Sequence, residues 1–104
     1  MFLVVFRNRK RTEMDAAAYA ADASAMQALA SRQPGFISFK SYTAEDGEVI
    51  ALSEWESEAA ALQWRRNAEH ATIQAKGRAS YYASYTLFAC ESPRIHTYEA
   101  KDQA

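Results

Sequence analysis

A hairpin signal at the centre of the chain constrains the fold more than any other feature. Phe36–Thr43 and Val49–Trp55 both alternate their side chains in the two-residue period of a strand. The segment between them contains Asp46-Gly47, a dipeptide that favours a tight turn. The sequence therefore predicts an antiparallel pair of strands, around which the rest of a sheet can be built.

A strand and a helix are predicted before the hairpin. Residues 2–7 are rich in branched and aromatic side chains, which indicates a buried strand ending near Asn8. Apolar residues then recur three and four apart, at Met14, Ala18, Ala21, Ala25 and Leu29. This spacing predicts a helix of about five turns. Thr12 or Asp15 would cap its start, and Pro34-Gly35 would stop it.

A helical segment and a last strand are predicted after the hairpin. Ser57 can cap a helix that breaks near Asn67, and a second piece, residues 70–76, ends at Gly77. Residues 81–90 alternate as a strand, in which Tyr81 and Tyr85 would share one face and Tyr82 the other.

The order of these elements is strand, helix, strand, strand, helix, strand, which predicts an α+β, ferredoxin-like βαββαβ fold with an antiparallel sheet. Residues 1–92 would form one domain and residues 93–104 a C-terminal tail. Both helices would cover one face of the sheet, and the apolar strands leave the other face unsuited to water. We therefore expect a homodimer with sheets packed face to face, and a small cavity between the sheet and helices of each subunit.

Composition excludes several classes of function. The formal charge of −1 gives no electrostatic footprint for nucleic acid or an anionic membrane. The apolar start, residues 1–6, is too short for a signal peptide or a membrane span. The single Cys90 is expected to be a buried thiol in a reducing cytoplasm. Scattered histidines and glycines predict neither a metal site nor a phosphate loop for a nucleotide or flavin, so no cofactor is expected.

Three groups of residues resemble one known family. They are Asn8-Arg9 at the end of the first strand, Pro34-Gly35-Phe36 before the second, and Trp55-x-Ser57-x-x-Ala60-x-x-x-Trp64 ahead of Glu69-His70. In order and spacing, over residues 1–92, they are similar to the antibiotic biosynthesis monooxygenase domains. The resemblance implies a dimeric α+β barrel. The family includes proteins that oxygenate polycyclic aromatic or quinol compounds without metal or flavin, and proteins that degrade haem. Many other members have no assigned reaction, so the resemblance alone does not choose among these activities.

The haem-degrading branch of that family can be compared position by position. Those proteins have an Asn at the end of the first strand, a helical Trp, and a haem-ligating His ten residues after that Trp. Asn8 and Trp64 match the first two, but the third position is Gln74, which cannot act as the axial imidazole. The pattern therefore favours chemistry without haem.

Three residues are the candidates for catalysis. Asn8 would orient the substrate or stabilise its oxyanion, Trp64 would stack on it, and His70 would act as the base. Each has a purely structural interpretation as well: a turn or cap, a core aromatic, and a surface imidazole bonded to a carboxylate or water. His96, in the tail, is a weaker candidate base. The predicted substrate-binding residues are Phe39, Trp55, Tyr81 and Tyr85.

The sequence thus predicts a cofactor-independent monooxygenase that uses dioxygen on a small aromatic, quinol or polycyclic phenolic compound. Two alternatives stay open at this point. One is a haem-binding and haem-degrading monooxygenase, which Gln74 disfavours. The other is a non-enzymatic dimer for small-molecule binding or stress response.

Overall fold

The computed structural model describes residues 1–101, apart from the side chains of residues 68–70 and 74. It contains a four-stranded antiparallel sheet, three α-helices and one π-helical turn. The strands are β1 (Phe2–Lys10), β2 (Phe36–Thr43), β3 (Val49–Trp55) and β4 (Tyr82–Glu91). The helices are α1 (Ala16–Ala30), α2 (Glu58–Arg66) and α3 (Ala68–Lys76), and the π-helical turn is Gly77–Tyr81.

The strands are ordered β2-β3-β1-β4, so β1 lies inside the sheet with β3 on one side and β4 on the other. Phe2 is opposite Trp55 of β3 and Glu91 of β4. At the far end of β1, Asn8 is opposite Val49 and Tyr85. This architecture confirms the predicted ferredoxin-like α+β fold.

Side-chain caps fix where two of the helices begin. The carboxylate of Asp15 accepts a hydrogen bond from the Ala18 amide at 3.0 Å, and the Ser57 hydroxyl accepts one from the Ala60 amide at 3.1 Å. Each cap satisfies an amide that the first helical turn leaves without a partner. Within residues 1–101, no helix has the length and apolar character needed to cross a membrane.

The core lies on the face of the sheet that the helices cover, which we call the helix side. Phe2, Ala30 and Trp55 are buried there, and partly buried apolar residues pack against them: Val4, Phe36, Ala60, Ala61 and Trp64. Trp55 is only 1% exposed. Truncating a buried Trp to Ala usually costs about 3–5 kcal/mol, so Trp55 is a main support of the fold. The other face is called the open side.

Two irregularities in strand pairing change which residues share a face. The β2–β3 register shifts between Phe36 and Ser38, so that Phe36 and Phe39 lie opposite Trp55 and Ser53 on the helix side. Simple alternation along β2 had predicted opposite faces for the two Phe residues. A bulge inserts one residue without a partner and thereby reverses the alternation beyond it.

The second irregularity corrects the predicted orientation of the tyrosines. Between Arg9 and Lys10 the β1–β4 register shifts, and Lys10 is paired with Tyr82. Tyr82 therefore lies beside Tyr85, with ring centroids 5.9 Å apart. Tyr81 belongs to the π-helical turn that continues the chain beyond Gly77, where the sequence had predicted the helix to end.

Cys90 is exposed, which contradicts the prediction of a buried thiol. It lies opposite Leu3 on the open side of β4, and β4 is an edge strand. The apolar character of the segment was a correct sign of a strand, but it carried no information on which face or edge would be covered.

The chain after β4 forms no helix or strand up to residue 100. The Ser92 amide donates to the Met1 carbonyl at 2.8 Å, which joins the end of β4 to the start of β1. Beyond it, Ile95 and Tyr98 are exposed. The boundary between a domain and a tail near residue 92 stays a prediction.

Gly35 and Gly47 provide a matched test of how tightly the turn before β2 packs on α2. Both have positive φ angles, 82° and 90°, which cost a non-glycine residue about 1–2 kcal/mol. A Cβ on Gly35 would lie 2.6 Å from the Ala60 Cβ, whereas one on Gly47 would meet nothing within 4 Å. We expect Gly35→Ala to lower the free energy of unfolding by about 3 kcal/mol and Gly47→Ala by about 1 kcal/mol. Denaturant unfolding of the two variants measures this, and equal losses would contradict the predicted packing.

Candidate functional site

The helix side has an apolar end and a polar end, both carried by β1. Phe2, Val4, Phe6, Asn8 and Lys10 all project to this side, since side chains two residues apart along a strand share a face. Phe2 and Val4 belong to the core. Asn8 and Lys10 follow at the other end of the strand.

At the apolar end, two tryptophans and a phenylalanine pack together. The Trp55 and Trp64 rings stack at 6.2 Å with an interplanar angle of 23°, and Phe36 meets Trp55 edge-on at 5.5 Å. The Trp55 indole donates to the Ser53 hydroxyl at 3.2 Å. Trp55 is thus fully engaged inside the protein, while Trp64 is only partly buried and can offer part of its surface to a ligand.

At the polar end, Asn8 is 3% exposed. Among the residues that the structure describes, it is the only polar or charged one that is buried. The ammonium of Lys10 donates to the Asn8 side-chain carbonyl. Buried amides are costly unless hydrogen-bonded, so this contact helps to hold the Asn8 side chain in place. Asn8 follows Phe2, Val4 and Phe6 on this face of β1, and a buried amide after three apolar side chains departs clearly from simple core packing.

Aromatic rings surround the Lys10 side chain. Its Nζ lies 4.6 Å from the centroid of Tyr19 on α1 and 5.4 Å from that of Tyr82 on β4. Phe6 contacts Tyr82 at 5.3 Å and Tyr85 at 5.2 Å. We call Phe6, Tyr19, Tyr82 and Tyr85 the aromatic cluster.

Burial sets the charge states in this cluster. Desolvation raises the pKa of Tyr82 and of Tyr19, so both phenols stay neutral at physiological pH. Desolvation lowers the pKa of Lys10, because removing water penalises the ammonium form. The polar end therefore combines neutral hydroxyls with a cation that is poorly hydrated.

Three polar side chains, Asp22, Lys76 and Tyr81, link α1 to α3 and the π-helical turn beside this cluster, and we call them the polar brace. The Tyr81 hydroxyl donates to Asp22 at 2.5 Å, and Lys76 pairs with the same carboxylate at 3.0 Å. Hydrogen bonds from Tyr81 and then Lys76 lower the pKa of Asp22. The hydrogen bond to Asp22 is also the main cause that raises the pKa of Tyr81. Since Tyr81 contacts Tyr19 edge-on at 5.3 Å, the brace also positions the aromatic cluster.

The structure brings some of the predicted site residues together and separates others. Asn8 and Tyr85 are neighbours at the polar end, and Trp55 and Trp64 are neighbours at the apolar end. Asn8 lies six residues along β1 from Phe2, the residue opposite Trp55, which is about 20 Å at the rise of a strand. The two pairs therefore mark opposite ends of the helix side.

The remaining predicted residues lie in different surroundings. Phe39 is on the helix side of β2 and is partly buried. Tyr81 is buried and engaged in the polar brace. The backbone of His70 belongs to α3, but its side chain, like that of Gln74, lies outside the described residues. His96 is exposed beyond β4.

Sequence reasoning missed Lys10 and Tyr19. Lys10 stands two positions after Asn8, which is the spacing for a shared strand face, but the strand was predicted to end near Asn8, whereas β1 continues to Lys10. Tyr19 is a single aromatic residue in an alanine-rich helix, and that contrast is a signal for a specific ring contact.

The middle of the helix side is open to solvent on the β4 edge. Tyr85 is 43% exposed and Leu87 is 49% exposed, although both project to the same side as Phe6. A separate shallow cavity of about 480 Å³ lies between the Pro34-Gly35 turn and α2. None of the predicted site residues lines that cavity.

Potential metal ligands are dispersed. In the part of the chain that the structure describes, no three His, Cys, Asp or Glu side chains are grouped so that they could hold a metal ion.

The model of the family described as "Antibiotic biosynthesis monooxygenase" matches residues 1–76. A protein of Bacillus subtilis, strain 168, described as "Uncharacterized protein YqjZ", is 34% identical over 98 residues, covering 94% of this chain and 84% of the relative.

Solved structures share the fold at lower identity. Rv0793 from Mycobacterium tuberculosis superposes with a TM-score of 0.79 at 18% identity, covering 92% of this chain and 98% of its own. SnoaB, a cofactor-independent oxygenase from Streptomyces nogalater, has a TM-score of 0.70 at 18% identity, covering 89% of this chain and 95% of its own.

The brace makes stability depend on pH in a defined direction. The pKa of Asp22 is lowered in the folded state, so its contribution to stability is complete above its unfolded pKa, about 3.9, and is lost as the pH falls through the folded value. We expect Asp22→Asn to be less stable than the native protein at neutral pH, with the difference shrinking below about pH 4. Tyr81→Phe removes the main cause of the shift and should show a weaker pH dependence of the same sign. Thermal unfolding between pH 2 and pH 7 measures both, and a difference that grows in acid would contradict this assignment.

Proposed function

The chain belongs to the antibiotic biosynthesis monooxygenase family, and on this basis we propose that it is a cofactor-independent monooxygenase acting on an aromatic phenol or quinol. The cofactor-independent oxygenase SnoaB, which shares the fold, supports the same reaction class. The observation that carries the proposal is Asn8, a buried amide near the end of β1 that lies opposite Tyr85 and accepts a hydrogen bond from Lys10.

Such a reaction asks little of the protein. A phenol that becomes a phenolate is electron-rich enough to pass an electron to dioxygen, and the two radicals can then combine. For oxidation of a phenol to a quinone, the substrate loses two hydrogens and gains one oxygen atom, and the second oxygen atom leaves as water. The protein must favour the phenolate, orient it, and exclude water while the radical pair exists.

Asn8 is suited to orientation, since a side-chain amide fixed by burial can hydrogen-bond an oxygen atom of the substrate. Trp64 supplies an aromatic surface for stacking at the other end. His70 is proposed as the base, because an imidazole titrates near neutral pH.

A homodimer is proposed as the working form. The open side carries apolar residues from all four strands, and Phe88, Ile37 and Tyr42 are exposed there or at its edge. Apolar patches of this kind on a sheet are usually buried against another surface. A second copy would present the same face, and the two sheets could pack with twofold symmetry.

The reaction class is tested by oxygen uptake. Metal-chelated protein is mixed with quinols and polycyclic phenols in aerobic and anaerobic buffer, and oxygen consumption is followed with an electrode. We expect uptake that depends on both protein and substrate, and a loss of about 10²-fold in rate for Asn8→Ala, because it removes a group that orients the developing charge.

Thr86→Ala serves as the control for that variant, since Thr86 lies one residue from Tyr85 but projects to the open side. It should keep the native rate. Binding of a phenol without any oxygen uptake across the screen would instead identify the protein as a binding module. An unchanged rate in Asn8→Ala would remove Asn8 from the site.

The dimer is tested by two adjacent residues with equal exposure. Phe88 and Leu87 are 50% and 49% exposed, but Phe88 faces the open side and Leu87 the helix side. Phe88→Asp should weaken association by about 30-fold or more, because a carboxylate is costly in an apolar interface, and Leu87→Asp should not. Sedimentation equilibrium measures both. A dimer that is equally stable in both variants would exclude this face.

A further inference from the structure

Three cationic side chains near the end of β1 differ in their partners. Arg7 pairs with Glu48 at 3.2 Å, and Arg9 pairs with Asp46 at 2.8 Å, both through the hairpin between β2 and β3. Lys10 projects to the other side of the sheet. Within residues 1–101, none of the ion pairs that the described side chains form includes Lys10.

Neutral groups surround the Lys10 ammonium instead. Asn8 accepts one of its hydrogen bonds, and the rings of Tyr19 and Tyr82 lie within 4.6 Å and 5.4 Å of Nζ. The one carboxylate within α1 is that of Asp22, one turn beyond Tyr19. It is already engaged by Tyr81 and Lys76, so it does not compensate Lys10.

An ammonium with one amide partner still has two N–H donors to place. Aromatic faces attract a cation but provide no counter-charge. Burial lowers the pKa of Lys10, because removing water disfavours the ammonium form. An anionic oxygen at this position would remove the penalty, and the surrounding rings would contact a flat apolar molecule attached to that oxygen.

We infer that Lys10, held beside Asn8 and between Tyr19 and Tyr82, anchors the oxyanion of an aromatic phenolate in the aromatic cluster. This inference rests on the proposed function and assigns it a substrate class and an anchoring residue. Tyr85, exposed on the β4 edge and 5.2 Å from Phe6, provides the surface over which the ring system enters.

The same ion pair forms by two routes. A phenolate can bind directly to the ammonium of Lys10. Alternatively, a neutral phenol can give its O–H proton to an uncharged Nζ, which breaks the O–H bond and leaves the phenolate beside the new ammonium. In both cases the site favours the ionised, electron-rich form of the ring that reaction with dioxygen requires.

The test measures binding alone, so it is independent of oxygen chemistry. The probes are 4-nitrophenol, which absorbs in the visible only as its phenolate, and 4-nitroanisole, its methyl ether, which cannot ionise. Under anaerobic conditions, we expect the native protein to bind the phenolate at least tenfold more tightly than the ether. The apparent pKa of the bound nitrophenol should fall below its value in free solution.

Variants of Lys10 assign the preference. Lys10→Met should reduce the preference for the phenolate at least tenfold while leaving ether binding nearly unchanged, and Lys10→Arg should retain most of it. Lys40→Met is the matched control, because Lys40 also lies over a ring, that of Tyr42 at 5.6 Å, but on an exposed part of β2. It should behave as the native protein does.

Several results would overturn the inference. They are failure of the native protein to bind either probe, an equal affinity for the two probes, an unlowered pKa of the bound nitrophenol, and an undiminished preference in folded Lys10→Met. The native measurements decide the question even if Lys10→Met does not fold.

Phenolate binding that depends on Lys10, without oxygen uptake with any phenol, would refute the proposed oxygenase and leave the anchoring site standing. Oxygen uptake with an unchanged phenolate preference in Lys10→Met would support the proposed oxygenase and refute the anchoring site.

Discussion

The pairing of β1 with both β3 and β4 is the interaction on which the rest of the structure depends. One strand carries the buried Phe2 at its start and the buried Asn8 near its end, on the same face. Its ladder of backbone hydrogen bonds therefore fixes the position of the polar end relative to the core. Because a slip of one residue would exchange the two faces of β1, the packing of Phe2 against Trp55 also determines that Asn8 points inward. The buried core at one end of β1 and the proposed site at the other therefore depend on the same register.

Much of this architecture followed from local patterns, whereas the composition of the site did not. Period-two alternation gave the bounds of β2 and β3, and Asp15 and Ser57 proved to be caps. Alternation failed at the two places where the pairing register shifts, because a bulge depends on the neighbouring strand and leaves no mark in the strand's own sequence. The shift near Lys10 is the important one, since it places Tyr82 beside Tyr85 and over the ammonium. The sequence could supply the tyrosines, but only the pairing decided which of them meet.

The two ends of the helix side are stabilised by different interactions. At the apolar end, Phe2 and Trp55 are held by burial, which is favourable without any exact geometry. At the polar end, an amide and an ammonium are taken out of water, and their hydrogen bond and ring contacts only partly compensate for the lost hydration. A site of this kind persists because the register and the Asp22 brace hold it in place. A ligand that hydrogen-bonds these groups would compensate for the hydration they have lost. The polar end is therefore a better candidate for ligand binding than the tryptophan stack.

β4 links the proposed site to the proposed dimer. It is an edge strand, and its successive side chains alternate between the two faces: Tyr85 and Leu87 lie on the helix side, and Phe88 lies on the open side. An edge strand has a hydrogen-bonded neighbour on one side only, so it is the least constrained strand of a sheet. A partner packed on Phe88 would restrict β4 and would therefore also restrict Tyr85, which lies opposite Asn8. Dimerisation would in this way lower the conformational entropy cost of binding a ligand at the aromatic cluster. Ligand binding and dimerisation would then favour each other.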